Sequence, residues 1–172
     1  GLVWYPAETD VSIRPGWFYH EEEDDKVKTP EKLLDIYFNS VGRNGVLLLN
    51  IPPDKEGLIN NSDIAALKKW KQLRDNIFKK NFAKNAILES SNGINAGLIL
   101  DNNDATHFTT TGNDTTAIIE IQLKTKATFN VLQLQENIRM GQRIEKFALE
   151  YWDGKAWIMA AQGTSIGFKR LL

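Results

Sequence analysis

Cysteine is absent from this 172-residue chain. Its absence excludes a disulfide framework, a thiolate zinc site and a cysteine nucleophile, and leaves the compartment open. An excess of either charge is lacking too: 21 Lys and Arg stand against 22 Asp and Glu. There is no long basic stripe to displace counterions from phosphates, so nucleic acid is not an expected partner. The run Lys68-Lys69-Trp70-Lys71 falls on a helical pattern and reads as a solvated face. No stretch reaches the roughly 18 apolar residues of a membrane helix, so no membrane partner is expected. No signal peptide is visible. With 42% hydrophobic and 25% charged residues, the chain has the composition of one or two globular domains.

Two periodicities divide it. Up to about residue 82, helix and strand alternate. Thr29-Pro30-Glu31 is a helix start: an N-cap, a proline at the first helical position and a carboxylate near the positive dipole end. Leu33, Leu34, Tyr37, Phe38 and Val41 recur at helical spacing, and Asn44-Gly45 supplies the stop. Val46-Leu47-Leu48-Leu49-Asn50-Ile51 suits a strand buried on both faces in a parallel sheet. Asn61-Ser62-Asp63 opens a second helix with Ile64, Leu67, Trp70, Leu73 and Ile77 on one stripe. One buried strand cannot stand alone, because its backbone groups need neighbours. After Ala83 the period becomes two. Ile119, Ile121 and Leu123 alternate with polar residues, as do Leu132 and Leu134, and Phe147, Leu149 and Tyr151 also take alternate positions. Asp153-Gly154 marks a hairpin turn leading to Trp157 and Met159. Several short strands with turn signals imply an antiparallel sandwich or jelly roll.

The stretch from Trp4 to His20, WYPAETDVSIRPGWFYH, resembles a late catalytic-domain motif of retaining α-L-fucosidases of glycoside hydrolase family 29. The stretch from Ser40 to Asp54, SVGRNGVLLLNIPPD, with Gly57-Leu58 after it, resembles the same family. The second half is similar to the galactose-binding-like, F5/8 type C (discoidin) module. Its marks are Leu100 to Phe108, Gly141-Gln142-Arg143-Ile144, Trp152 to Trp157, and Gly163 to Gly167. The resemblance implies an α/β remnant of a (β/α)8 barrel over residues 1–82. An antiparallel β-sandwich, a jelly roll incomplete at its C-terminus, would follow over residues 83–172. It also implies that the nucleophilic Asp lies upstream of Gly1, that closing strands lie beyond Leu172, and that the chain alone is inactive. The implied partner is a fucosylated glycan, in the periplasm or outside a bacterial cell.

Retaining glycosidases set two carboxyls about 5–5.5 Å apart, one nucleophile and one acid/base. Glu8 is the acid/base candidate; the alternative is that it pairs with Arg14 or a loop backbone. Trp17 offers a flat apolar wall for the fucose methyl and ring face. Otherwise it is a core aromatic at a strand end. Trp4 has the same two readings, and the resemblance adds Arg14 as a sugar contact. His20 either donates to a sugar hydroxyl or is polar surface. The acidic run from Glu21 to Asp25 is a cation site or a solvated loop, and Arg43 and Asn44 fit capping. Asp101, Asn103, Asp104 and Thr106 offer oxygens for a structural calcium, or an Asx-turn. Catalysis needs no cofactor. Trp152 and Trp157 are sugar-platform candidates or strand-packing residues; a non-catalytic binding or bracing module is the alternative function.

Overall fold

A computed structural model describes residues 5–172. The first half is built on a parallel pair. Strand β1, Glu8–Ser12, lies beside β2, Val46–Asn50, with Glu8 opposite Val46 and Ser12 opposite Asn50. Helices α1, Pro30–Asn39, and α2, Asn61–Ile77, pack against each other. The start of α1 follows the expected chemistry: Thr29 Oγ1 accepts from Lys32 N at 3.2 Å, and Pro30 opens the helix. Its end comes earlier than Asn44. Ser40 caps it, donating from Oγ to the Ile36 carbonyl at 2.7 Å, and Asn44 then turns the chain at φ 67°. Asn60 caps α2, accepting from Ser62 N at 2.9 Å.

The core of this half is Ile13, Leu33 and Ala66, with Val27, Leu49, Ile51, Leu67 and Trp70 packed around it. Burial of each large side chain contributes about 1.5–3 kcal/mol. The expectation that Val46–Ile51 is covered on both faces is corrected. Leu49 and Ile51 reach the core, whereas Val46 and Leu48 are 42% and 51% exposed. The helices cover one face of the β1–β2 pair, and no closed barrel forms among the described residues.

The second half is a set of antiparallel pairs. They are β3, Ile87–Ser90, with β6, Ile119–Gln122; β4, Gly93–Ile94, with β5, Thr109–Thr110; and β7, Gln133–Leu134, with β10, Arg170–Leu171. The longest is the hairpin β8, Phe147–Trp152, with β9, Trp157–Gly163. At its tip Asp153 Oδ1 accepts from Lys155 N and Ala156 N, and Gly154 takes φ 107°. The turn signal in the sequence is thus realised. The jelly roll itself is not established: among the described residues the strands form separate pairs, each strand with one neighbour. Ile121, Trp152, Trp157 and Met159 are exposed.

The chain's end returns to the first half. Arg43 bridges Arg170, and Leu171 N donates to the Gly42 carbonyl at 2.8 Å. Asn44 Oδ1 accepts from Phe168 N at 2.7 Å, and Asn44 Nδ2 donates to Gln142 at 3.1 Å. Within the second half Glu136 steadies this returning segment: its buried carboxylate accepts from the backbone N–H of Arg143, Ile144 and Gly167.

Candidate functional site

Parallel strands present their functional loops at their C-terminal ends. Here those ends are Ser12 of β1 and Asn50 of β2. Beyond Ser12 the chain runs through buried Ile13 and Arg14 into the Pro15–His20 loop. Trp17 lies on that loop, 51% exposed, with Phe18 and His20 also exposed.

The loop is held from below. Asn50 Nδ2 donates to the Trp17 carbonyl at 2.9 Å and to Ser12 Oγ at 3.1 Å. Arg14 is fully buried. Its Nε donates to Asp63 Oδ2 at 3.0 Å, Nη1 to the His20 carbonyl at 3.1 Å and Nη2 to Asp24 Oδ1 at 2.7 Å. The guanidinium also lies over the Tyr19 ring, 4.6 Å from its centroid. Lys28 Nζ donates to the Arg14 carbonyl, and Asn60 Nδ2 donates to Asp24 and Tyr19. Burial works against the Arg14 charge, but hydrogen bonds and charges from Asp24 and Asp63 outweigh it and raise its pKa. Burial pushes the Asp63 carboxyl above its ordinary value. The Arg14 hydrogen bond and charge only partly offset that, and Asp24 adds to the rise.

Several expectations change accordingly. Arg14 is no surface sugar contact: its donors serve the protein interior. Glu8 does not pair with Arg14. It opens β1, exposed, beside a shallow hollow lined by Tyr5, Pro6, Ala7 and Val46. At about 3.3 Å per residue, four residues of strand separate it from Ser12 by about 13 Å. The structure therefore groups Trp17 and His20 at one end of β1 and leaves Glu8 at the other. Trp4 lies outside the described residues. The acidic run is only partly a solvated loop, since Asp24 turns inward to Arg14.

The calcium expectation meets the Asx-turn instead. Asp101 Oδ1 accepts from Asn103 N, Asp101 Oδ2 accepts from the Thr106 hydroxyl, and Asn103 Oδ1 accepts from Ala105 N. Those oxygens are committed to the loop itself, whereas Ca²⁺ needs six to eight oxygens directed at one point. Asp104 adds no third ligand: among the described residues no cluster of three or more His, Cys, Asp or Glu is placed to hold a metal. The donor set does not fit the ion.

The sequence reading assigns Asn50, Asp63 and Asn60 no role at the site, and Asp24 only a share in the acidic run. Asn50 had a usable signal, a polar residue closing an apolar strand at its C-terminal end. Asp63 read only as part of a helix start, and its partner lies 49 positions away.

Residues 3–73 match the family model described as alpha-L-fucosidase. Alpha-L-fucosidase 1 of Arabidopsis thaliana is 39% identical over all of this chain, which covers 35% of that protein. A crystal structure of a candidate alpha-L-fucosidase from Bacteroides thetaiotaomicron is 41% identical with a TM-score of 0.92, covering 99% of this chain and 39% of that one. A Ruminococcus gnavus GH29 fucosidase in complex with fucose is 34% identical with a TM-score of 0.90, covering 98% of this chain and 35% of that one. The chain spans about a third of the length of the curated relatives it matches. The family model over residues 3–73 and the relatives aligned along the whole chain point to one similarity, to alpha-L-fucosidases.

Proposed function

We propose that the chain is a segment of a retaining exo-α-L-fucosidase that removes terminal α-L-fucose from glycans. Residues 1–82 are the C-terminal part of its (β/α)8 barrel, and residues 83–172 an appended galactose-binding-like sandwich of the F5/8 type C kind. The observation that carries this reading is the whole-chain likeness to a fucosidase holding fucose. Trp17, at the C-terminal end of β1, gives the apolar face of the sugar and its methyl group a flat partner. His20 on the same loop offers a ring N–H to a hydroxyl. The reaction is displacement at the anomeric carbon by one carboxylate, with a second carboxyl protonating the leaving oxygen, and it involves no cofactor. Glu8 is not that second carboxyl, given its place at the far end of the strand. Both carboxyls come from outside residues 5–172, so the isolated chain is inactive. The substrate class places the enzyme in the periplasm or outside the cell.

The test is hydrolysis of an aryl α-L-fucoside by the 172-residue chain and by a full-length protein carrying it. Turnover is expected from the full-length protein alone. Turnover by the chain refutes the assignment of the carboxyls, and none from either refutes the fucosidase reading. A bracing role for the second half is favoured by one observation, the Asn44, Gln142 and Phe168 contacts that tie it to the turn before β2. Sugar binding by that half has no comparable support.

A further inference from the structure

We infer that Asn50 and Arg14 are positioning residues that fix where Trp17 meets the sugar. The inference rests on the fucosidase reading above and adds two residues to it. Three backbone or ring contacts hold a six-residue loop from beneath: the Trp17 carbonyl on Asn50, the Tyr19 ring on the Arg14 guanidinium, and the His20 carbonyl on Arg14 Nη1. All three leave Trp17 and His20 exposed. Arg14 is itself fixed, because Asp63 and Asp24 occupy its Nε and Nη2. The planar fork reaches α2, the acidic loop and the His20 carbonyl at once, which a lysine's single ammonium cannot do. Asn50 is fixed by its second bond to Ser12, across the parallel pair. The loop's backbone is thus set by the strand ends and α2, so the aromatic wall is ready before a ligand arrives.

The roles separate in kinetics. A wall that touches the sugar equally in ground and transition states affects KM and leaves kcat alone. Asn50→Ala removes the donor. Asn50→Asp keeps the shape and puts an acceptor against the Trp17 carbonyl. If Asn50 only fills space, Asp behaves as the parent; if its N–H holds the loop, Asp is as harmful as Ala. Amide hydrogen exchange of residues 16–20 is read in the 172-residue chain. KM and kcat for an aryl α-L-fucoside are read in the full-length protein.

Both variants are expected to exchange about tenfold faster in that loop and to raise KM about tenfold with kcat within a factor of about three. Arg14→Lys, which retains a cation beside Asp63, is expected to loosen the same amides. Unchanged exchange in Asn50→Ala, parent-like kinetics of Asn50→Asp, or faster exchange with unchanged KM each overturn the inference. A parent with no turnover is a different failure. It removes the fucosidase reading and this one together, and it is seen before any variant is made.

Discussion

Replacing Arg14 with Met strands a charge in the interior. Arg14 and Asp63 are both fully buried, and Asp63 Oδ2 has Arg14 Nε as its donor while Asp63 Oδ1 has no hydrogen bond at all. Removing one partner of such a pair typically costs about 3–5 kcal/mol. For a chain of this size that lowers Tm by about 6–20 °C, at about 2–4 °C per kcal/mol. The loss has a pH signature. The Asp63 carboxyl already lies above its ordinary value of 3.8 because burial disfavours its charge, and Arg14 is what holds the rise back. Without Arg14 the folded-state pKa moves further up. A carboxyl whose folded pKa exceeds its unfolded pKa binds more protons folded than unfolded across that window, so stability falls as pH rises through it. The deficit of Arg14→Met relative to the parent is therefore smallest near pH 4 and grows toward neutrality. Thermal melts by circular dichroism between pH 4 and 7.5 measure it. Arg14→Met/Asp63→Leu, which removes both charges, is expected to recover much of the loss and to flatten the pH dependence. A deficit below about 1 kcal/mol at pH 7, or one constant with pH, refutes the argument that Asp63 is a buried, Arg14-compensated carboxylate.

Two predictions concern the segment that returns to the first half. Glu136→Gln turns an amide N–H₂ toward either Gly167 N–H or the Arg143 and Ile144 N–H pair. Leaving a buried donor unmet costs about 1–3 kcal/mol, read as a lower urea midpoint with an unchanged m-value. Gly167→Ala is expected to lose at least as much: φ is +66°, and the new Cβ would stand 2.2 Å from Asn44 Cγ. The Asn44 contact to Phe168 would break with it, visible as a shift of the Asn44 side-chain amide resonances.

The parts legible in the sequence are those whose cause is local. Thr29, Pro30 and Glu31 specify the start of α1 through one capping bond, one fixed φ and one dipole contact, all within three residues. Asp153-Gly154 specifies the β8–β9 turn the same way. The apolar run of β2 was legible as a strand, but it reports what the strand is built to cover rather than what covers it. Hence Val46 and Leu48 stand bare here. The Arg14–Asp63 pair was not legible, because a charged residue inside a helix start looks like a dipole partner until its distant counter-ion is known. Nor was Glu136, which sits in a segment without periodicity and finds its donors seven, eight and thirty-one positions later. At Asp101 two local readings competed, and the loop's own N–H and O–H groups took the oxygens.

Strand β2 explains how the second half bears on the site. The turn before its first residue, Gly42-Arg43-Asn44, receives the returning chain through Leu171, Arg170 and Phe168. Its last residue, Asn50, holds the Trp17 carbonyl. A strand paired in register along five residues transmits position along its axis, because a slip of one residue would exchange its two faces and pull Leu49 out of the core. The clasp and the loop are therefore two ends of one rigid segment. Bracing the turn fixes the height of β2, and the height of β2 fixes where the Trp17 loop rests.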